Sequence, residues 1–324
     1  MKKVGIIGAG QLGSRHLQAL AKVNAQLDIY ISDISSQSLE IAKGRFEEVP
    51  EGARHQVHYL TSVEEFPAQL EIVIIATNSE IRKVVIEKLL THSQVKHLIL
   101  EKFLFTKAAD YEKVQQLFDR HAAMNVWVNC PRRTFDVYKQ IAAGVKGKGP
   151  VKFVVTGSAW GLGCNSIHFL DLFSFVTGET EFTVMCELID NEYIPSKRQG
   201  YVEFTGSLCL GAAGHHMDIT SFKTGSHPVV VSVHTPESSW TVKEGKGELE
   251  YAEAGNGWEV TSSKVSLPPQ SVTGTAVVND LLSRNSCDLV TFTISKQLHL
   301  TLLNVFLDKY NFINKESSDI CPIT

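Results

Sequence analysis

Six residues near the start of the chain have the types and spacing that hold a pyrophosphate: Gly8, Ala9, Gly10, Gln11, Leu12 and Gly13. An apolar run precedes them and a helical pattern follows, which predicts a strand, a tight turn and a helix. In such a turn the glycines permit the bend, let the pyrophosphate approach the backbone and let the helix pack closely on the strand. The helix N-terminus then offers free N–H groups to phosphate. The segment therefore predicts a dinucleotide site, with a purely structural glycine turn as the alternative.

An acidic residue at the next strand end indicates which dinucleotide. Asp33 follows the apolar run 27–32 and stands 20 residues after Gly13. A carboxylate at this distance accepts hydrogen bonds from both ribose hydroxyls of an adenosine and repels a 2′-phosphate. We therefore expect NAD as the cofactor. Lys43 and Arg45 follow on the next helix and keep NADP open as an alternative.

Two later strands also end in polar residues. Ala76, Thr77 and Asn78 follow the strand 71–76, so we expect them to line the cofactor, although Asn78 is also suited to start the next helix. Glu101 and Lys102 follow the strand 97–100. An ammonium group there can hydrogen-bond a substrate oxygen and stabilise developing negative charge. The alternative is an exposed lysine paired with Glu101.

Residues further along the chain are also candidates. Arg132 and Arg133 follow the strand 125–129 and suit a carboxylate or phosphate, with an interdomain salt bridge as the alternative, favoured for Arg133. A glycine-rich segment then leads into a helix with Asn165 and His168 on one face, where we expect Asn165 to hold substrate. Histidine is the side chain best suited to move a proton near pH 7. Asp171, three residues further, is expected to orient the imidazole and help bind substrate.

Composition limits the class of protein. The 324 residues are 43% hydrophobic and 20% charged, with a formal net charge of −4, and no basic block suggests nucleic acid. No apolar stretch is long enough to span a membrane. The six cysteines and twelve histidines lack the spacing of a metal site. We therefore expect a cytoplasmic protein with reduced thiols, no metal and a small-molecule substrate.

The pattern of elements predicts an α/β protein with two domains. Up to residue 125, apolar strands alternate with helices, which is typical of a Rossmann domain with a doubly wound parallel sheet. Residues 126–324 carry closely spaced strands and turn signals, which predict an α+β domain with an open, mainly antiparallel sheet. Two helices are expected near its end, at 272–285 and 295–312.

Taken together, these motifs resemble those of the Gfo/Idh/MocA family, named after glucose-fructose oxidoreductase and inositol dehydrogenase. The resemblance covers nearly the whole chain, with the family's Glu-Lys-Pro motif falling on Glu101-Lys102 and its catalytic histidine on His168. It implies that Lys102 and His168 are catalytic and that Glu101 and Lys102 also contact the cofactor. Two positions differ, since Phe103 replaces the proline and Cys164 replaces an aspartate four residues before the histidine.

The resemblance also implies an activity. Family members move a hydride to or from a sugar, a cyclitol or a related carbon centre with NAD or NADP, and their open sheet often joins subunits. We therefore expect an NAD(P)-dependent oxidoreductase that acts on a sugar or sugar derivative and forms a homo-oligomer through its C-terminal sheet, with surface-polysaccharide metabolism as a candidate setting. A thiol at Cys164 cannot replace a carboxylate. Either Asn165 substitutes for it, or Lys102 and His168 suffice. Because the carboxylate is lost, a non-catalytic dinucleotide-binding sensor or partner subunit is the alternative.

Overall fold

The computed structural model describes residues 1–324 and contains two compact units. Unit 1 comprises residues 1–105, 109–131 and 268–293, and unit 2 comprises 106–108, 132–267 and 294–324. The predicted boundary at residue 125 is therefore displaced to 131, and the prediction that all later residues form the second domain is corrected, because the segment 268–293 belongs to unit 1.

The first part of unit 1 alternates strands and helices, as predicted. Its strands are β1 (Lys2–Ile7), β2 (Leu27–Ser32), β3 (Gln56–Leu60), β4 (Gln69–Ile75), β5 (Gln94–Leu100) and β6 (Asn125–Val128). Its helices are α1 (Gln11–Leu20), α2 (Ser36–Glu47), α3 (Ser79–His92) and α4 (Ala108–Asp119). The six strands are parallel in the order β6-β5-β4-β1-β2-β3. This is the strand order of a Rossmann domain, which confirms the predicted fold class.

Unit 2 is built around a sheet of eight strands. The strands and helices of this part of the chain are α5 (Asp136–Val145), β7 (Lys152–Ser158), α6 (Leu162–Thr177), β8 (Thr183–Ile189), β9 (Ile194–Pro195), β10 (Val202–Glu203), β11 (Gly206–Ala212), β12 (His215–Phe222), β13 (Val230–His234), β14 (Ser238–Lys243), β15 (Glu248–Glu253) and β16 (Thr261–Lys264). The sheet order is β16-β15-β14-β13-β7-β12-β11-β8, and only β7 and β12 pair in parallel. The mainly antiparallel sheet is thus confirmed, while β9 and β10 form a separate pair.

The chain then returns to unit 1 through α7 (Gln270–Arg284) and β17 (Val290–Thr291), before α8 (Phe292–Asn314). Helix α7 packs against α1 so closely that a Cβ on Gly274 would lie 2.9 Å from the Ala19 Cβ. Val278 and Leu281 of α7 belong to the apolar core around β1 and β2. This burial explains why 268–293 is part of the Rossmann unit, since removing apolar surface from water outweighs continuity along the chain.

Local turn geometry determines where two strands of unit 2 begin. The strand β16 begins only at Thr261, because residues 254–256 form a 3₁₀ turn and Trp258 has a φ of 65°. The strand β12 follows a tight turn with positive φ at both Ala213 and Gly214, which reverses the chain for pairing with β11. None of the helices combines the length and hydropathy that a membrane span requires.

Candidate active site

The glycine turn joins β1 to α1 and has the backbone that the sequence predicts. Gly8 has a φ of +95°, and a Cβ on Gly13 would lie 1.7 Å from the Gly8 carbonyl oxygen. Gly10 is different, because a Cβ there would meet no atom within 4 Å. Gly10 is also the N-cap of α1, so no N-cap side chain covers the first N–H groups of this helix. The turn therefore presents open space and uncapped N–H groups, which fits a bound pyrophosphate.

Asp33 lies against this turn. Its Oδ2 accepts a hydrogen bond from the Ala9 backbone N–H at 2.7 Å, and its Oδ1 accepts one from the Ser35 N–H at 2.9 Å. The side chain is only partly buried, whereas the next residue, Ile34, is 94% exposed. The structure thus places Asp33, the residue predicted to bind the ribose, next to the turn predicted to bind the phosphates, as a dinucleotide site requires.

Arg45 reaches the same region from α2. Its Nη2 donates to the Gln11 Oε1 at 2.9 Å and its Nη1 donates to the Ser14 Oγ, both in the first turns of α1. The guanidinium therefore places a positive charge beside the helix that follows the glycine turn. Of the two cations considered for NADP, Arg45 is the one whose hydrogen bonds connect it to this turn.

Ala76, Thr77 and Asn78 follow β4 and lie beside the glycine turn, since a Cβ on Gly8 would be 3.1 Å from the Ala76 carbonyl. The Thr77 Oγ1 is buried and has no hydrogen-bond partner within the protein. Asn78 occupies the N-cap position of α3, but its side chain makes no capping bond. The Thr77 hydroxyl and the Asn78 amide at this sheet edge are therefore suited to hydrogen-bond a cofactor.

Glu101 and Lys102 follow β5 and are both buried, with 3% and 8% exposure. The Glu101 Oε1 accepts hydrogen bonds from the His16 Nε2 at 2.7 Å and the Asn129 Nδ2 at 2.6 Å. Burial opposes ionisation of Glu101, but the hydrogen bonds from His16 and Asn129 and the charge of Lys102 hold its pKa below the usual value. The alternative of an exposed lysine is therefore wrong, because Lys102 lies inside unit 1.

The segment that follows Lys102 is also held from inside the unit. The peptide bond between Lys102 and Phe103 is cis. The buried Arg82 donates hydrogen bonds to the carbonyl oxygens of Phe103 and Leu104, the latter at 2.7 Å. Glu101 on one side and Arg82 on the other thus define the path of the chain around Lys102.

Helix α6 presents its candidates on one stripe. It begins after Gly161, whose φ is +81°, and most of its side chains are buried. Cys164, Asn165 and His168 are partly exposed, and His168 lies four and three residues beyond the other two, which is the spacing of one helix face. The Asn165 Nδ2 donates to the Trp160 carbonyl oxygen at 2.6 Å. The structure therefore brings the predicted histidine and amide together on the accessible side of this helix.

Glu203 is a residue of this site that the sequence analysis missed. Its Oε2 accepts the Gly163 N–H at 2.9 Å and its Oε1 accepts the Cys164 N–H at 3.2 Å, at the N-terminus of α6. A carboxylate is favourable there because the first N–H groups of a helix lack partners within it. Glu203 lies 39 residues beyond Cys164, on a two-residue strand, and no motif marks it. A carboxylate thus lies beside Cys164 although the motif aspartate is absent.

Arg132 is committed to an ion pair within unit 2. Its Nε and Nη2 each donate to a carboxylate oxygen of Glu244 at 2.8 Å, and the Tyr138 hydroxyl donates to the same carboxylate at 2.7 Å. The guanidinium carbon also lies 4.4 Å from the centre of the Phe169 ring. Burial opposes ionisation of Glu244, but Arg132 and Tyr138 hold its pKa below the usual value. Two donors of Arg132 are therefore already engaged by the protein.

Arg133 and Asp171 form a second pair in the same unit. The Arg133 Nη1 donates to the Asp171 Oδ1 at 3.0 Å, and the Asp171 side chain is fully buried. Burial raises the pKa of Asp171 to about 7, although Arg133 favours the ionised form. The interdomain salt bridge suggested for Arg133 is corrected, because both residues belong to unit 2. The observed partner of Asp171 is thus Arg133, whereas the sequence suggested the imidazole of His168.

The predicted residues thus fall into two groups. The glycine turn, Asp33, Ala76–Asn78, Glu101 and Lys102 belong to unit 1, and the residues Arg132, Asn165, His168 and Asp171 belong to unit 2. Within unit 1 the carboxyl ends of β1, β2 and β4 converge, which is the edge where open parallel sheets bind ligands.

Sequence comparison agrees with the geometry of unit 1. Residues 2–130 match the model of a family described as "Oxidoreductase family, NAD-binding Rossmann fold". The matched range contains the whole glycine turn, Asp33 and Lys102. This match confirms the predicted cofactor, NAD. No curated protein sequence matches the chain.

Solved structures share the fold over nearly the full length. UDP-N-acetylglucosamine 3-dehydrogenase GnnA from Acidithiobacillus ferrooxidans is 14% identical, with a TM-score of 0.69 over 94% of this chain and 96% of that one. Levoglucosan dehydrogenase, solved with NADH and levoglucosan, is 16% identical, with a TM-score of 0.70 over 98% of both chains. A super-repressor mutant of Gal80p from Saccharomyces cerevisiae is 12% identical, with a TM-score of 0.71 over 96% of this chain and 98% of that one. At these identities the similarity establishes the fold alone.

Proposed function

We propose that this chain is an NAD-dependent oxidoreductase of the Gfo/Idh/MocA family, and that it moves a hydride between NAD and the carbinol or keto carbon of a sugar or sugar derivative. The match of residues 2–130 to the family model supports this proposal. The observation that carries this proposal is the hydrogen bond between Asp33 and Ala9, which joins a ribose-binding carboxylate to an open glycine turn. Bound NAD supplies a carbon that gives or accepts a hydride. Gly10 and its neighbours would hold the pyrophosphate, Asp33 the ribose, and Thr77 a further polar group of the cofactor.

Lys102 and His168 are the proposed catalytic residues. In the oxidative direction the substrate C–H bond breaks with transfer of a hydride, and the hydroxyl proton passes to the His168 imidazole. The Lys102 ammonium is proposed to donate a hydrogen bond to a substrate oxygen and to stabilise the negative charge that develops there. Two observations support these roles, since Lys102 is held in a buried segment and His168 lies on the partly exposed stripe of α6.

Asn165 and Arg132 are proposed to orient the substrate, and Asp171 to hold the α6 region through Arg133. Asn165 shares the accessible stripe with His168, which supports direct contact. Arg132 donates two hydrogen bonds to Glu244, so its proposed contribution to substrate orientation is its positive charge. Glu203 completes the set by stabilising the N-terminus of α6, beside Cys164.

A nucleotide-linked sugar of surface-polysaccharide metabolism is the substrate class we propose. The support is the similarity in fold to a UDP-N-acetylglucosamine 3-dehydrogenase. We also propose a cytoplasmic location and a homo-oligomer formed through the sheet of unit 2. Met185 and Leu188 of the edge strand β8 are 59% and 65% exposed, which favours contact with a second copy. Light scattering that shows a monomer at working concentration would refute the oligomer.

The experiment for this function is a turnover screen with NAD and NADH over nucleotide sugars, free sugars and polyols. With the substrate found, Lys102→Met and His168→Gln should each lower kcat by about 100-fold or more, since general acid–base groups contribute this much. Lys152→Met, an exposed lysine on the sheet of unit 2, is the control and should leave kcat unchanged. Near-full turnover in both catalytic variants would refute the assigned roles.

A non-catalytic dinucleotide-binding protein is the second candidate, and Cys164 is the observation that favours it. The thiol stands where the family pattern has a substrate-binding aspartate. The similarity in fold to Gal80p, solved as a super-repressor mutant, is consistent with such a role. This candidate predicts tight NADH binding without turnover of any compound in the screen. Turnover that depends on Lys102 would exclude it.

A further inference from the structure

Four polar side chains of unit 1 form a closed ring of hydrogen bonds, and three of them are buried while Gln270 is half-buried. The Glu101 Oε1 receives bonds from the His16 Nε2 at 2.7 Å and the Asn129 Nδ2 at 2.6 Å. The same Asn129 Nδ2 donates to the Gln270 Oε1 at 2.9 Å, and the Gln270 Nε2 lies 3.5 Å from the His16 Nδ1. Each residue thus contacts two others, and the four belong to four different parts of unit 1.

The carboxylate determines the direction of every bond in this ring. An ionised Glu101 only accepts, so Asn129 must turn its NH₂ group toward it, and that NH₂ group then also meets the Gln270 oxygen. Gln270 is left with its NH₂ group facing the His16 Nδ1. A neutral imidazole with its hydrogen on Nε2 satisfies both contacts. All four hydrogen bonds of the ring can therefore form with one assignment of donors and acceptors. A network whose polar groups are all paired makes the elements that carry it more rigid.

These elements are the ones that define the proposed active site in unit 1. His16 lies one turn beyond the glycine turn in α1, Glu101 directly precedes Lys102, and Asn129 directly follows β6. Gln270 is the first residue of α7, the helix that returns to unit 1. The His16 and Glu101 side chains are only 3% and 4% exposed, so their hydrogen bond to each other is shielded from water.

We propose that His16, Glu101, Asn129 and Gln270 are positioning residues that hold Lys102 in register with the glycine turn. The inference rests on the catalytic role of Lys102 proposed above. A displacement of about 1 Å in a catalytic group can cost about 100-fold in rate. The ring prevents such a displacement because it ties the strand end that carries Lys102 to the helix that binds the cofactor.

Paired variants at His16 test this inference. His16→Leu removes both bonds, whereas His16→Gln keeps an N–H donor for Glu101. We expect His16→Leu to lower kcat by about 10- to 100-fold while the Kd for NADH changes by less than about threefold. His16→Gln should recover about tenfold of the loss. Asn279→Ala is the matched control, because it removes a different contact of α7, with the Asn24 N–H, and should leave kcat unchanged.

Backbone hydrogen exchange gives a second measurement that does not depend on turnover. In His16→Leu, amides of residues 100–104 should exchange at least about tenfold faster than in the native protein, while Asn279→Ala leaves them unchanged. Unchanged exchange would overturn the inference, as would equal losses of kcat and NADH affinity without rescue by His16→Gln. If His16→Leu does not fold, Gln270→Leu replaces it, since Gln270 is only half-buried. A fully active Lys102→Met would instead overturn the proposed function, and the exchange data would still decide whether the ring holds this segment.

Discussion

Asp171 is the buried acid through which we expect pH to control the stability of unit 2. Its side chain is fully buried, its Oδ1 accepts a bond from Arg133, and its Oδ2 has no hydrogen-bond partner within the protein. Burial raises its pKa from 3.8 to about 7, and Arg133 offsets only part of this effect. The perturbation we propose is Asp171→Asn, which remains neutral at every pH and keeps an oxygen for Arg133.

The size of the effect follows from the difference in pKa between the folded and unfolded protein. The shift from 3.8 to about 7 corresponds to about 4 kcal/mol at 1.36 kcal/mol per unit. Because the pKa is raised in the folded state, folding retains a proton that the unfolded chain releases. The contribution is fully present below about pH 4 and is lost as the pH rises to about 7. Asp171→Asn should lack this loss.

Urea unfolding at pH 5 and pH 8, followed by tryptophan fluorescence, measures the effect. Between these two values the native protein should lose about 3 kcal/mol more than Asp171→Asn, which is the part of the shift that lies above pH 5. Asp308→Asn, an exposed acid of unit 2, is the control and should follow the native protein. Equal pH dependence in the native protein and Asp171→Asn would refute the reasoning.

Three further predictions concern the cofactor turn and α6. Gly13→Ala should weaken NADH binding by about 100-fold or more in calorimetric titration, because the added Cβ would lie 1.7 Å from the Gly8 carbonyl oxygen. Gly44→Ala is the control and should leave NADH binding unchanged, because a Cβ there would meet no atom within 4 Å. Asp33→Ser should weaken NADH binding by about tenfold, because the ribose hydroxyls lose a carboxylate that accepts their hydrogen bonds. NADPH binding should be unchanged or improved, because the negative charge that repels the 2′-phosphate is removed. Glu203→Gln should lower the free energy of unfolding by about 1 kcal/mol in urea titration, because the helix N-terminus loses a carboxylate.

Each of these predictions has an outcome that contradicts it. If Gly13→Ala bound NADH as tightly as the native protein, the turn would accommodate a Cβ at this position, contrary to the prediction. Equal losses for NADH and NADPH in Asp33→Ser would remove the argument for cofactor choice. Unchanged stability in Glu203→Gln would show that the amide caps α6 as well as the carboxylate does.

The sequence alone determined the parts of this protein that depend on local spacing. The glycine turn and Asp33 were predictable, because a strand, a tight turn and a helix place residues 20 apart at one sheet edge. The alternation of apolar runs with helical patterns predicted the parallel sheet, because strands that alternate with helices form a sheet that is covered on both faces. Lys102 and His168 were also identified from position, one after a strand and one on a helix behind a glycine-rich segment. The match of residues 2–130 to the NAD-binding family model confirms the predicted cofactor, whereas the roles of Lys102 and His168 stay predictions.

Only the tertiary structure decided which partners these residues have. No periodicity shows that Glu203 caps a helix that begins about 40 residues earlier, or that Gln270 closes a ring with His16 from 254 residues away. Arg133 was expected to bridge domains, yet it pairs with Asp171 inside unit 2. Partners so distant along the chain are set by the packing of whole elements, as α7 on α1 illustrates. Burial then fixes which carboxylates are ionised, and this depends on every neighbour in space rather than on the order of residues.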